Sequence, residues 1–531
     1  MIAPPKISAL APLLFSVPLA LAAAGPVKPA AVFGDHMVLQ QGMKVPVWGT
    51  ATAGDSVTVV FAGQSVSGTA DAAGNWRVTL GPLKASAEPA TLTVKSSGDG
   101  GEIAFTDVLV GEVWVGSGQS NMAGTVSKYA PNDETLADLA ARAPFPEIRL
   151  IRGGPAPAWE PATAESVAGF SALLFPFGER LQAERGVPVG LMLGAVGGTP
   201  SGSWIPKETY DGSDKCRADI EAFARTFDPA REESLREAKV EAWEKAAAAA
   251  KAKGEKPRGR PPGPVRKPGE TSRGGAIGGL YERYISMFPG YAIRGVLWDQ
   301  GEAGSGVVGV DQHTMMSELI RGWREAWGQG EFSFLFVQKP SGGGCAWPAS
   351  GAAPDPVTRN ASACTPLPPN LATLGGGDAP FLYVRLMADN PNAWMVPVSD
   401  LGGMVHPTNK WGYGRRAAEV ALQKVYETGA QAYGPRYRSH RVEGDRLVVE
   451  FDEVGRGLAF ANAETLQGFA IAGADEVWAW ADATIAGDTV VLTAESVPEP
   501  RKVRYAWAQN RPWANLFNQD GKPALVFEAG E

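Results

Sequence analysis

The sequence predicts an α/β protein: a mostly parallel sheet with helices on both faces, flanked by N- and C-terminal β-sandwich, jelly-roll-like regions. Three observations carry this expectation. From Val108 to Tyr426, apolar runs of strand length alternate with helix-length segments, the pattern of a parallel sheet covered on both faces. On either side of that stretch, short alternating runs are separated by glycine turns, as in sandwiches. The 65 glycines and 42 prolines among 531 residues also require many turns.

Taken in order, residues 1–24 read as an export signal. Lys6 gives a positive start, Ile7 to Leu21 is mostly apolar, and Ala20-Leu21-Ala22 or Ala22-Ala23-Ala24 offers a small-residue cleavage site. A periplasmic or secreted location follows. Residues 25–107 form the expected N-terminal β domain, with runs such as Val45-Pro46-Val47-Trp48, Ser56 to Phe61 and Asn75 to Leu80. Residues 108–430 form the expected α/β domain. Its first strand, Val113-Trp114-Val115, breaks into Gly116-Ser117-Gly118-Gln119-Ser120-Asn121. Phe170 to Arg185 reads as a helix, and Pro188 to Ala195 as a buried strand ending in Val196-Gly197-Gly198-Thr199. Ala292 to Trp298 is the next strand, ending in Asp299-Gln300-Gly301-Glu302. Helix Gln312 to Trp327, strand Phe332 to Gln338, strand Trp394 to Val398 and helix Tyr413 to Tyr426 complete the unit. Two insertions, about 211–275 and 340–380, interrupt it. The first holds an exposed Ala/Glu/Lys helix, Pro229 to Lys253, then a basic Pro-rich loop with Lys256, Arg258, Arg260, Arg266 and Lys267. The second lacks periodicity and reads as a lid or a structureless loop. Residues 431–531 return to β pattern.

Composition excludes several classes of function. A net charge of −8 and a pI near 5.4 disfavour nucleic acid and anionic membrane surfaces as partners. No stretch after the N-terminus is long and apolar enough for stable membrane insertion. Three scattered cysteines form no metal-ligand spacing, so the expected metal is none. Cys345 and Cys364 share one insertion and are candidates for a disulfide, which export permits. The sequence sets no oligomeric state.

A serine on the turn after a strand stands at the open edge of an α/β sheet, where ligands bind. Its small neighbours leave the hydroxyl exposed and bring backbone N–H groups close. A nucleophilic serine needs a base, and histidine suits neutral pH. There are four histidines. His36 and His440 fall in the β regions, and His313 opens a helix. Only His406 lies in a glycine-rich loop just past a strand of the α/β unit, which makes it the best base by position.

These residues also carry a family resemblance. Gly116-Ser117-Gly118-Gln119-Ser120-Asn121-Met122, Trp298-Asp299-Gln300-Gly301-Glu302 and His406-Pro407-Thr408-Asn409-Lys410 resemble three signatures of sialate O-acetylesterase-like proteins. Those are SGNH-type carbohydrate esterases that remove acetyl groups from sugars. Val32 to Gln40, Pro46 to Gly49, Val503 to Trp507 and Asn515 to Asn518 extend the likeness over nearly the whole chain after residue 24, apart from the two insertions.

The resemblance implies an SGNH-hydrolase-like sheet and a covalent acetyl-enzyme without metal or cofactor. Ser120 would be the nucleophile and His406 the base, then the acid for the leaving sugar oxygen. The oxyanion and substrate set would be the Ser120 N–H, the Gly197-Gly198 turn and Gln300, with Asn121, Asp299 and Glu302 beside them. The sequence departs from the family at the orienting acid. The family's aspartate lies two or three residues before the histidine, where this chain has Met404 and Gly403. Asp400 at the strand end is the first candidate to replace it, then Asp299, which stands where the family commonly has tyrosine, and Glu302. A main-chain carbonyl is the remaining alternative. The substrate expectation is an acetylated carbohydrate, either sialate or a neutral plant glycan; Arg152, Arg359 and Arg385 are the arginines considered for an anionic sugar. The alternative function is a glycan-binding protein with weak or lost chemistry on the same scaffold.

Overall fold

The computed structural model describes residues 26–98, 100–257, 259–272, 275–347, 357–358, 363–371, 374–461 and 464–530. The expected export segment, together with Arg258 and Arg359, lies outside the described residues. The chain divides into two compact units. The smaller takes the described residues from Pro26 to Ala30 together with those of Val47–Thr79 and Leu92–Ala104. Its strands Ser56–Phe61 and Gln64–Thr69 form an antiparallel hairpin. Ala62 and Gly63 both take positive φ at the turn, which matches the twist of the flanking strands. Val57, Val59 and Phe61 point inward, alternating with more exposed neighbours.

The larger unit is built on seven strands: β1 (Glu102–Gly118, its residues from Phe105 onward in this unit), β2 (Phe145–Arg152), β3 (Trp159–Ala162), β4 (Val189–Ala195), β5 (Gly295–Asp299), β6 (Ser333–Val337) and β7 (Ala393–Val396). Their order is β3-β2-β4-β1-β5-β6-β7. Every neighbouring pair that includes β4, β5 or β6 is parallel, and β3 runs antiparallel to β2 at one edge. The sheet is therefore mixed at that edge, where the sequence predicts a mostly parallel one. β2 and β3 are the strands that the sequence reading missed: Phe145-Pro146 and Trp159-Glu160-Pro161 interrupt their apolar pattern.

Among its helices are α1 (Ser120–Ala123), α2 (Leu174–Arg185), α3 (Pro229–Ala252), α4 (Gln312–Trp327), α5 (Asp378–Asp389) and α6 (Lys410–Lys424). In α4, Met315, Met316, Leu319, Ile320, Trp323 and Trp327 are buried, the three-to-four spacing of one apolar face. Asp311 caps its first turn by accepting from the Thr314 N–H, and Gly328 closes it at φ 61°. Trp323 meets Trp298 of β5 edge-on, with ring centroids 6.1 Å apart. Helix α3 buries only Ala247, in keeping with its expected place on the outside. Helix α5 begins inside the region read as the second insertion, 340–380.

Beyond α6, two four-stranded sheets face one another. Leu447, Val449, Phe451, Val490 and Leu492 from one share a core with Phe469, Ile471, Val503, Tyr505 and Phe527 from the other. A disulfide joins Cys345 and Cys364, and Cys345 packs with Ala461 and Phe517 of this region. Cys216 is free and buried. No helix among the described residues is long and apolar enough to cross a membrane.

Candidate functional site

The strand register brings three loops together. Gly118 at the end of β1 pairs with Ala195 of β4 on one side and Asp299 of β5 on the other. The loops after these strands, Val196 to Thr199 and Gln300 to Glu302, therefore start level with Ser120. Gly118 has φ 129°, and a Cβ there would stand 2.1 Å from the Asp299 carbonyl oxygen. Only glycine lets the chain turn into Ser120 at this closeness. The Gln119 N–H donates to that same carbonyl at 2.9 Å. On the other side, a Cβ at Gly197 would lie 3.4 Å from the Ser120 Cβ, so the Gly197-Gly198 turn rests against the serine. Gly198 itself takes φ 75°.

His406 sits in the loop between β7 and α6, with Nε2 2.9 Å from Ser120 Oγ. His406 is exposed, but partial desolvation of the ring, then the charges of Lys128 and Lys410, hold the imidazole below its ordinary value. The other histidines are engaged elsewhere: His36 with Asp107, His313 with Asp389, His440 with Tyr437.

Behind the pair lies a buried polar network. Glu302 accepts from Gln119 Nε2 and, at 3.2 Å, from Asn121 Nδ2, so one carboxylate holds the side chains on both sides of Ser120. Asn121 Nδ2 also donates to the Val405 carbonyl at 3.1 Å, one residue before His406. Asn121 Oδ1 accepts from Lys410 Nζ at 2.7 Å. Lys339 Nζ lies 2.6 Å from Asp299 Oδ1 and 2.8 Å from Glu302 Oε1. Burial drives the Asp299 carboxyl up, with Lys339 opposing. Burial acts the same way on Glu302, but Lys339 and the hydrogen bonds outweigh it and its pKa falls. Burial works against the Lys339 charge, yet Asp299 and Glu302 leave its pKa raised. Among the described residues no carboxylate touches Lys410; burial brings its ammonium down to about 7, between the rings of Tyr129 and Tyr413.

Two sequence expectations are corrected by this geometry. Asp400 is fully buried, and its carboxylate is taken by the Arg416 guanidinium at 3.0 and 2.9 Å. A bidentate fork satisfies both oxygens, and Asp400 makes no hydrogen bond to His406. Among the described residues no side chain bonds the imidazole Nδ1. Gln300, expected to face the oxyanion, is fully buried. Its amide donates to the Thr199 and Gly304 carbonyls at 3.3 and 3.1 Å, which uses both hydrogens. Gln300 thus braces the glycine turn and does not offer a free donor to it. Asp299 and Glu302 lie in the network behind Ser120, the first fully buried. Sequence reasoning missed Lys339 and gave Lys410 no role. A lysine at a strand end ordinarily reads as solvated, and only the two carboxylates level with Gly118 mark Lys339 as buried. Arg152 is held by the Gly169 carbonyl and lies over Phe170. Among the described residues no cluster of His, Cys, Asp or Glu is placed to hold a metal ion.

Cavities flank the pair. One of about 610 Å³ is lined by Glu302, Lys339, Tyr383, Met404, Val405, Gln509 and Asn510 among others. A second, of about 340 Å³, opens along Gly198, Thr199 and Pro200.

Comparison with known proteins agrees with the family expectation. Residues 110–222 match the family model of carbohydrate esterases described as sialic acid-specific acetylesterase. The chain is 26% identical over 346 residues to the sialate O-acetylesterase of Rattus norvegicus, covering 59% of this chain and 60% of that protein. It is 30% identical over 204 residues to that of Homo sapiens, covering 33% and 38%. The chain thus spans less than two thirds of the length of these curated relatives. The crystal structure of a carbohydrate acetylesterase from Xanthomonas citri superposes with a TM-score of 0.68 at 25% identity, covering 95% of this chain and 99% of that one. In sequence and in fold the chain thus resembles the sialate O-acetylesterase-like carbohydrate esterases.

Proposed function

We propose that the protein is an exported serine esterase that removes O-acetyl groups from sugars. The observation that carries this reading is the 2.9 Å contact between Ser120 Oγ and His406 Nε2, which is hydrogen-bond reach for a nucleophile and its base. Ser120 Oγ adds to the acetyl carbonyl carbon while His406 Nε2 takes the hydroxyl proton. The oxyanion faces the Ser120 N–H and the Gly197-Gly198 turn, and preset donors of this kind are each worth roughly 3–4 kcal/mol of barrier. Collapse expels the sugar oxygen, which receives the proton from His406, and leaves an acetyl ester on Ser120. Water then adds to the acetyl carbon while its proton passes to His406, and collapse breaks the ester bond, with His406 returning that proton to Ser120 Oγ as acetate leaves. The lowered pKa of His406 keeps the base neutral at pH 7.

In place of an orienting acid, Glu302 and Lys410 fix the Asn121 amide, and Asn121 holds the Val405 carbonyl and so the His406 loop. The glycan-binding alternative is favoured by one observation: no carboxylate among the described residues supports Nδ1 of His406. Acetate release from p-nitrophenyl acetate by the wild type, Ser120→Ala and His406→Ala proteins decides between them. The esterase reading expects both variants to lose at least about a thousandfold in kcat, with an acetyl adduct on the wild type under rapid quench. A wild type that matches Ser120→Ala supports binding alone.

A further inference from the structure

The cavity of about 610 Å³ beside the Ser120–His406 pair is larger than an acetyl group needs and falls in the size range of pockets that enclose a whole ligand. Its inner wall is Glu302, the carboxylate that bonds Gln119 and Asn121. Its rim includes Met404 and Val405, which are 75% and 61% exposed and lead directly into His406. The opposite wall comes from the C-terminal β region, at Gln509 and Asn510.

We propose that this cavity is a subsite for an uncharged sugar ring next to the acetylated one, so that the substrate is a neutral acetylated oligosaccharide. This rests on the esterase reading above and extends it. Among the described residues, the charged groups lining the cavity are Glu302 and Lys339, and the Lys339 ammonium lies against both Glu302 and Asp299. Two carboxylates against one ammonium leave no described cation for a sugar carboxylate, and burying an unpaired charge is costly. Gln509 and Asn510 are exposed, and their side-chain amides make no hydrogen bond to any described residue. A primary amide donates and accepts at once, which suits hydroxyls. Met404 and Val405 offer aliphatic cover to the C–H face of a ring.

The wall is also rigid. Arg511 is buried and donates to the Ala508 and Gln509 carbonyls at 3.2 and 3.3 Å, and the Gln509 N–H is taken by the Gly375 carbonyl at 3.3 Å. A preorganised turn loses little freedom when sugar binds.

The experiment compares kcat/KM for O-acetylated cellobiose, 9-O-acetyl-N-acetylneuraminic acid and p-nitrophenyl acetate in the wild type, Gln509→Ala and Asn510→Ala proteins. The wild type is expected to prefer the cellobiose ester to the sialate. Each variant should lose about threefold to tenfold more on the cellobiose ester, through KM, than on p-nitrophenyl acetate. A preference for the sialate, or equal losses on the two esters, overturns the proposal. If the wild type cleaves none of the three, the esterase reading fails by itself. Calorimetric titration of Ser120→Ala with unacetylated cellobiose then tests the subsite alone. Binding that Asn510→Ala weakens upholds it, and no binding overturns it.

Discussion

Asp400 precedes His406 by six residues, yet the two side chains belong to different networks. Arg416 forks onto both Asp400 oxygens in a fully buried pair, so the carboxylate serves the packing of α6 against the end of β7. Breaking a buried pair by removing one charge costs roughly 3–5 kcal/mol, because the other is left uncompensated. Arg416 keeps Glu419 at 3.3 Å, so Asp400→Asn should lower the unfolding free energy by about 2–3 kcal/mol, less than the full amount, in urea titration. Turnover per folded molecule should stay close to wild type. A loss near the ten-thousandfold of a triad that loses its aspartate would instead return Asp400 to the role of orienting acid. His406 carries a second prediction. Its pKa lies below the ordinary 6.5, and the imidazole can serve as the proposed base only when neutral. As pH falls, kcat/KM should hold through 6.5 and decline only at the lowered pKa. An acid limb at or above 6.5 would contradict the environment drawn around the ring.

At the scale of elements, the end of β1 fixes the site. Gly118, at φ 129°, stands where a Cβ would meet the Asp299 carbonyl oxygen at 2.1 Å. Gly118→Ala would force apart two hydrogen-bonded parallel strands and strain the backbone by about 1–3 kcal/mol before any clash is counted. The expected outcome is a loss of several °C in Tm together with activity, since the serine turn and the glutamate loop separate. A variant with wild-type Tm and turnover would show that the strand end is looser than drawn. This turn was legible in the sequence because glycine, a short apolar run and a lone serine form a local signal. So were α4 and β4 to β7, whose periodicity is strong; α4 has the predicted boundaries, Gln312 to Trp327. The Ser120–His406 pairing was legible by elimination among four histidines and by resemblance. The roles of Asp400, Gln300 and Lys339 were not. Each turns on which partner takes the side chain, and those partners, Arg416, Thr199 and Asp299, are chosen by three-dimensional packing that no spacing along the chain encodes.

Across the whole molecule, most charge lies at the surface, while Asp299, Lys339 and Lys410 form a buried charged cluster with Glu302 at its edge. Lys410 is the least compensated of the four. It is fully buried, bonded to the Asn121 amide oxygen, and close to aromatic rings, with no carboxylate of the described residues in contact. Its pKa falls from 10.5 to about 7. The sign of the linkage follows from proton counts. Between about 7 and 10.5 the unfolded chain holds a proton on this lysine that the folded chain lacks, so this group makes stability rise with pH across that window. Below the folded value both states are protonated, and the folded chain bears the full cost of burying the ammonium. At 1.36 kcal/mol per pKa unit the effect is a few kcal/mol over the whole window, with the rest of the cluster reducing it. Lys410→Met keeps the length and apolar stem but has no proton to exchange. Urea unfolding of both proteins at pH 6, 8 and 9.5 exposes the Lys410 contribution, because groups it does not influence cancel in the difference, whereas Asp299 and His406, which its charge shifts, add to it. Relative to wild type, the variant should be at its most stable at pH 6 and lose that advantage steadily toward pH 9.5. It should also turn over p-nitrophenyl acetate more slowly at every pH, because Asn121 loses the donor that holds it on Val405. A stability difference independent of pH would mean that Lys410 keeps an ordinary pKa, and that the cluster behind Ser120 is open to water.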